Sequence, residues 1–322
     1  MSRPRLLISE SAQFSAIAAE SLQQVADVSL DDLDRPGLLE SVSDADVLWI
    51  RLRHQIDKQV LDRGRHLQFI CSPTTGLNHI DLEEAGRRGI QVISLRGEVD
   101  FLREIRATAE HTIGLILAVL RKLPAAMEHV IAGDWNRDLF CGGELHGKTI
   151  GIVGFGRLGR VVAKYLHAFD TRVIAVDPNV QQDQVPEYVE MLPLHSLLEQ
   201  SDIVTLHVNL YEQTKGFFGK EQFDRMKSGS WFINTSRGEL VDERALLDAL
   251  QSGKLAGAAV DVLSDERTSG MSHHPLVAYA RKNRQLLITP HIGGCTTESM
   301  IKTEMFLAEK LCAVLQESSV TR

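Results

Sequence analysis

Four cysteines are scattered through the 322 residues as Cys71, Cys141, Cys295 and Cys312, and no two form a Cys-x-x-Cys pair. That spacing offers neither a zinc site nor a disulfide framework, and a reducing cytoplasm is the expected setting. Long apolar runs are missing as well: the stretch 113–120 contains Gly114 and is far too short to cross a bilayer. No early segment has the basic start, apolar middle and small-residue cleavage site of a signal peptide, so no membrane partner is expected. Positive charge is not in excess either. The formal net charge is -8, which argues against nucleic acid as a partner, because phosphate binding needs clustered Lys and Arg. Internal repeats and low-complexity segments are absent.

What the sequence does contain is short β-branched runs alternating with amphipathic stretches, the pattern of parallel sheets covered by helices. Strands are expected at 5–9, 47–51, 68–72 and 91–95, with Asp81 capping a short helix that Gly89 ends. The first hundred residues thus read as one small α/β unit. A segment from 107 to 123 is apolar nearly all round and stops before Pro124, so it must be buried by something. Six more strands follow, at 149–153, 172–176, 203–207, 230–234, 258–262 and 286–289, which suits a doubly wound dinucleotide fold. The tail from 297 to 315 reads as a final amphipathic helix.

The sharpest local signal is Gly154-Phe-Gly156-Arg157-Leu158-Gly159, a G-x-G-x-x-G directly after an apolar strand. Gly154 permits the tight turn, Gly156 lets the backbone approach a pyrophosphate, and Gly159 allows close helix–strand packing. The helix that follows carries Leu158, Val161, Val162, Tyr165, Leu166 and Phe169 on one face and offers its free N–H groups to the anion. Asp177 ends the next strand, where a carboxylate accepts ribose hydroxyls and repels a 2′-phosphate. No Arg or Lys follows in Pro178-Asn179-Val180, so NAD is favoured over NADP. A bare glycine triplet would be weak evidence; the strand before it, the helix after it and the acid beyond all agree.

Three further segments place polar residues after apolar strands: Asn234-Thr-Ser-Arg-Gly-Glu-Leu-Val-Asp, Ala259-Val-Asp-Val-Leu-Ser-Asp-Glu and Thr289-Pro-His-Ile-Gly-Gly. Together with the glycine turn, Gly76-Leu-Asn-His-Ile-Asp-Leu, Ala109-Glu-His-Thr and Gly147-Lys-Thr-Ile-Gly, they resemble the D-isomer-specific 2-hydroxyacid dehydrogenases over nearly the whole chain. The resemblance implies an α/β fold of two doubly wound parallel-sheet domains, a Rossmann-type NAD domain over 107–290 and a flavodoxin-like substrate domain from 1–106 plus 291–322, with the active site in the cleft between them. It implies hydride transfer between NAD and a small 2-hydroxy or 2-oxo acid, with a catalytic triad of Arg237, Glu266 and His291. Arg237, always charged and forked, would grip a carboxylate and polarise the 2-oxo group. His291 would pass a proton to or from the substrate oxygen, and Glu266 would hold the imidazole and favour its protonated form. The substrate carboxylate would meet backbone N–H groups at Thr75 and Gly76, with Arg51 nearby. The cofactor would touch Arg157, Leu158, Val208, Thr235, Asp261 and Thr112. A homodimer closing over its substrate is the family's usual assembly.

The residues alone leave rivals open. Arg237 could pair with Glu239 or Asp242, His291 could be an ordinary loop histidine, and Asp265 competes with Glu266. Members of the family often follow the catalytic Glu with Pro-Leu, whereas here Arg267-Thr-Ser-Gly-Met-Ser-His-His intervenes before Pro275-Leu276. His273 and His274 are adjacent and diverge, which makes a poor metal site, and no metal is expected. The segment 95–107 is longer and more charged than the common version, similar to phosphoglycerate-dehydrogenase-like members. Arg96, Arg103 or Arg106 could meet a phosphate or second carboxylate on the substrate, and a solvated, salt-bridged face beside Glu98, Asp100 and Glu104 accounts for them equally well. A non-catalytic NAD(H)-sensing binding protein of the same fold is the alternative function.

Overall fold

The structure, a computed structural model, describes residues 3–266 and 270–320, with side chains to 317. Arg267, Thr268 and Ser269, in the long loop after Glu266, lie outside the described residues. The chain divides into two units, Met1–Glu104 with Thr296–Arg322, and Ile105–Cys295. Residues 291–295 sit with the second unit because the His291 N–H donates to the Asp261 carbonyl at 2.8 Å.

The first unit is a five-stranded parallel sheet of β1 (Arg5–Ile8), β2 (Asp27–Leu30), β3 (Val47–Trp49), β4 (Phe69–Ser72) and β5 (Gln91–Ser94), in the flavodoxin-like order β2-β1-β3-β4-β5. β3 and β4 are buried at every position, which is why they read as continuous apolar runs. β2, Asp-Val-Ser-Leu, is a largely exposed edge strand with no apolar run, so the sequence pattern misses it. The helix Thr297–Val320 returns to this unit, where Leu307, Ala308 and Leu311 pack with Leu6, Ile8, Ala18 and Leu22.

Strand order reverses between β1 and β3, the place where open α/β sheets form a crevice. Here the unit fills it with its own carboxylate. Glu10, 6% exposed, accepts the N–H groups of Arg51 at 2.9 Å and Arg53 at 3.1 Å. The Arg51 guanidinium pairs with Glu304 on the returning helix through Nε at 2.9 Å, and its Nη1 donates to the Ala12 carbonyl at 2.7 Å. The Glu304 carboxylate, 1% exposed, also accepts the Ser15 N–H at 2.8 Å. Burial pushes the Glu304 carboxyl above its usual range, outweighing the Ser15 N–H and Arg51.

The second unit is a seven-stranded parallel sheet of β6 (Thr149–Val153), β7 (Arg172–Val176), β8 (Val189–Met191), β9 (Ile203–Leu206), β10 (Ser230–Asn234), β11 (Leu255–Val260) and β12 (Leu286–Ile288), ordered β12-β11-β10-β9-β6-β7-β8. β8, at the edge, is again short and unannounced by the sequence. Within the apolar segment 107–123 the helix stops at Leu120. Lys122 takes a left-handed φ of 53°, and a second helix, Leu123–Ile131, begins with Pro124 in its first turn. The helix Ala107–Leu120 is buried by its own unit, lying over β10, β11 and β12 and the helix Arg157–His167. By contrast, none of the residues of Leu123–Ile131 is buried.

Arg51→Ala would leave the Glu304 carboxylate buried without its cation, and we expect a loss of about 3 kcal/mol in urea denaturation. A carboxyl whose folded pKa lies above its unfolded value binds its proton more tightly when folded, so the fold gains stability as pH falls through that folded value. The cost of the substitution should therefore shrink on acidification. An unchanged denaturation midpoint at neutral pH would show that the pair contributes nothing.

Candidate active site

The strand order of the second unit reverses between β6 and β9, and β6 runs into the glycine turn at that point. Gly154 has a φ of 94°, and a Cβ there would collide with the His207 carbonyl oxygen just past β9. A Cβ on Gly159 would collide with the Gly154 carbonyl oxygen. Packing within the chain therefore demands both glycines. Gly156 is different. It caps the helix Arg157–His167 with a φ of -75°, open to any residue, and an added Cβ would meet nothing within 4 Å. The chain leaves space in front of a helix N-terminus, whose N–H groups suit an anion.

The other expected cofactor residues lie in the same unit. Arg157 and Leu158 open the helix, and Arg157 Nη1 donates to the Ile105 carbonyl at 3.0 Å. Burial, with nearby Arg106 second, draws the Arg157 guanidinium below its usual pKa. Asp177 follows β7, and its carboxylate accepts the N–H groups of Phe155 and Asn179, each at 2.9 Å, which pins it to the glycine turn. Val208 Cγ2 lies 3.1 Å from where a Gly154 Cβ would stand. Thr112 and Thr235 are brought together: the Thr112 hydroxyl donates to the Thr108 carbonyl at 2.7 Å, which leaves Thr235 to donate to Thr112 at 2.9 Å.

The three proposed catalytic side chains all lie in this second unit. Asn234, at the end of β10, holds the next turn by accepting the Ser236 N–H at 3.0 Å and donating to the Arg237 carbonyl at 2.9 Å. That turn presents Arg237, whose Nη1 donates to the Ser236 carbonyl at 2.6 Å. His291 Nδ1 and Glu266 Oε1 are 2.6 Å apart, with side chains 19% and 20% exposed. Glu266 rather than Asp265 is thus the imidazole's partner. Asp265 is exposed and left-handed at φ 56°.

His291 is itself left-handed, at φ 54°, an uncommon conformation for a residue with a side chain. Asp261 holds it there. Its carboxylate accepts the N–H groups of Ile292 at 2.9 Å and Gly293 at 2.8 Å, the Thr289 hydroxyl at 2.6 Å, and a contact from His111 Nε2 at 3.2 Å. Burial alone would raise the Asp261 carboxyl, yet the donors, His111 and Thr289 foremost, hold it below the usual range. His111 and Thr289 lie inside the Ala-Glu-His and Thr-Pro-His segments, but no role for either was legible from spacing. The remaining sequence-predicted residues lie in the first unit. Arg51 has its donors engaged as described above. Among the described residues the N–H groups of Thr75 and Gly76 donate to no protein acceptor, while Thr74 Oγ1 donates to the Gly76 carbonyl at 2.9 Å. Of the charged segment, Arg103 pairs with exposed Asp100 at 3.3 Å and Glu98 with Lys310 at 2.6 Å.

Residues 113–293, more than half of the chain, match the model for the D-isomer specific 2-hydroxyacid dehydrogenase, NAD binding domain. The chain belongs to that family. It is 37% identical over 288 residues to the glyoxylate reductase of Thermofilum pendens, covering 88% of this chain and 82% of that protein. It is 36% identical over 280 residues to the D-3-phosphoglycerate dehydrogenase of Archaeoglobus fulgidus, covering 87% of this chain and 51% of that one. The chain thus spans about half the length of that relative. Its fold superposes on the D-lactate dehydrogenase of Aquifex aeolicus complexed with NAD and lactic acid, with a TM-score of 0.84 at 26% identity over 97% of this chain and 96% of that one. Two parallel-sheet α/β domains are the architecture of these family members.

The second unit fits the family's NAD: a helix N-terminus, an open cradle at Gly156 and the Asp177 carboxylate held against the glycine turn are all in place. The two turn glycines should separate binding from folding. Gly156→Ala should leave the denaturation midpoint unchanged while weakening NADH binding by more than about 1.4 kcal/mol, tenfold, in a fluorescence titration. Gly154→Ala should lose stability, since its φ and its close approach both exclude a side chain. Unaltered NADH affinity in Gly156→Ala would remove the turn from the cofactor site.

Proposed function

We propose that this chain is an NAD-dependent oxidoreductase that interconverts a small D-2-hydroxy acid and its 2-oxo acid. One observation carries this reading above the rest: the 2.6 Å contact between His291 and Glu266, in the same unit as the glycine turn. Bound NADH supplies the hydride. Arg237 grips the substrate carboxylate and polarises the 2-oxo group as negative charge builds on its oxygen. His291 gives that oxygen a proton in reduction and takes it back in oxidation. Glu266 accepts from Nδ1, which directs Nε2 toward the substrate. In the first unit, the N–H groups of Thr75 and Gly76 are suited to a carboxylate. Asp177 favours NAD over its 2′-phosphate counterpart.

The substrates named in the relatives, glyoxylate and phosphoglycerate, bracket the acids to test, with hydroxypyruvate beside them. NADH oxidation should be followed with glyoxylate, hydroxypyruvate, pyruvate, 2-oxoglutarate and 3-phosphohydroxypyruvate. Turnover with at least one, and a loss of roughly 10²–10⁴ in kcat for His291→Ala with NADH binding retained, is expected. NADH binding without turnover on any of them would favour the sensing protein instead.

A homodimer in the cytoplasm completes the proposal. Among the described residues no helix is long and apolar enough to cross a membrane. The segment after the helix Ala107–Leu120 exposes Leu123, Met127, Val130, Ile131, Trp135 and Leu139, the last five at 49% or more. So much apolar surface on one short stretch suits a second copy of the chain. Ile131→Asp with Trp135→Asp should convert a dimer to a monomer in sedimentation; a wild-type monomer would end this part of the proposal.

A further inference from the structure

The acid proposed to orient His291, Glu266, lies between Ser264 and His274. Asp265, immediately before Glu266, is a non-glycine residue at a left-handed φ of 56°, and a 3-10 turn at Met271–His273 leads into the helix Pro275–Ala280. Both ends of the intervening stretch meet one carboxylate. Glu243, the first residue of the helix Glu243–Gln251, accepts the Ser264 N–H through Oε1 at 2.7 Å, and its Oε2 lies 3.0 Å from His274 Nε2. Glu243 and His274 are largely buried, with side chains 19% and 12% exposed. The Ser264 end is also confined from the other side: a Cβ on Gly238 would collide with the backbone of Leu263 and Ser264. Gly238 directly follows Arg237, so the backbones presenting Arg237 and Glu266 abut, and Glu243 fastens the second of them.

We propose that Glu243 is a positioning residue, whose carboxylate ties Ser264 to His274 and so sets Glu266 against His291. Among the described residues its carboxylate bonds Ser264 and His274 rather than any of the three catalytic side chains, and its effect reaches them through the backbone. Burial disfavours the charged form of Glu243, and the Ser264 N–H and His274 are the groups that offset it. A carboxylate kept in so unfavourable a place, with both oxygens committed to the ends of one segment, has the geometry of a clamp. The role rests on the reading of Glu266 and His291 given above.

The test uses the full chain with Glu243→Ala and Glu243→Gln. The amide oxygen of Gln still accepts the Ser264 N–H, whereas Ala removes the acceptor. Three signals are read: hydrogen exchange of the Ser264 amide, the ¹⁵N resonance of His291 Nδ1, which reports its bond to Glu266, and kcat with the KM for NADH. In Glu243→Ala the Ser264 amide should exchange faster, the Nδ1 resonance should move toward that of an unpaired imidazole, and kcat should fall on the order of 10²-fold with the KM for NADH unchanged. Glu243→Gln should restore most of each. If Glu243→Ala keeps the wild-type Nδ1 resonance, or loses NADH binding in step with kcat, the clamp is refuted. A wild-type chain without turnover would refute the enzymatic reading alone, because the exchange and resonance measurements need no turnover.

Discussion

A buried anion at the carboxyl end of a strand is tolerable only when donors surround it, and Asp261, 1% exposed just past β11, has them. Two of its donors are consecutive backbone N–H groups, those of Ile292 and Gly293. To bring both to one carboxylate, the chain must turn sharply at His291, and it does so with a left-handed φ. Gly293 then has to lack a side chain, since a Cβ there would stand 2.9 Å from the Asp261 carboxylate. The imidazole that meets Glu266 is therefore aimed by the need to satisfy a buried charge one layer beneath it. The same carboxylate joins β11, the Thr289–Gly293 segment and His111, which lie far apart in sequence.

The two sheets obey the same topological rule and put it to different use. Each reverses its strand order once, and each reversal opens a crevice at the carboxyl ends of the strands. In the second unit the crevice is lined by glycine, with space at Gly156 and a helix N-terminus behind it. In the first unit Glu10 enters the crevice and takes up the N–H groups of Arg51 and Arg53. A carboxylate in that position repels an anion and uses the donors an anion would need. Topology thus permits a nucleotide site in either unit, and the side chain after the first strand decides which one has it.

Chemistry in this family is divided between cofactor and protein, and the protein's share is orientation and charge. The supports of that orientation are unusually backbone-centred here. Asn234 fixes the turn that presents Arg237, Asp261 fixes the turn that presents His291, and Glu243 holds the segment that presents Glu266. In each case a side-chain oxygen at or beside one end of a regular element reaches a loop backbone group. Regular elements thus hold the loops that bear the proposed catalytic residues through polar contacts of about 3 Å or less.

Features written in contiguous residues were legible from the sequence. The glycine turn, the strand before it and Asp177 at the next strand end need only local geometry, and the buried strands declare themselves as apolar runs because both their faces are covered. Edge strands β2 and β8 were silent, since a half-exposed strand of three or four residues has no periodicity to show. The apolar segment 107–123 was legible as buried, but its break at Lys122 depended on a left-handed turn that no pattern announces. Only the tertiary structure chose Glu266 over Asp265, because two adjacent carboxylates are told apart by the length of the side chain and the backbone that aims it. It alone gave Arg51 to Glu304, a residue 253 positions along the chain. Local sequence determines which turns and elements can form; which buried charge meets which donor is settled by desolvation, and that acts only once distant segments have packed.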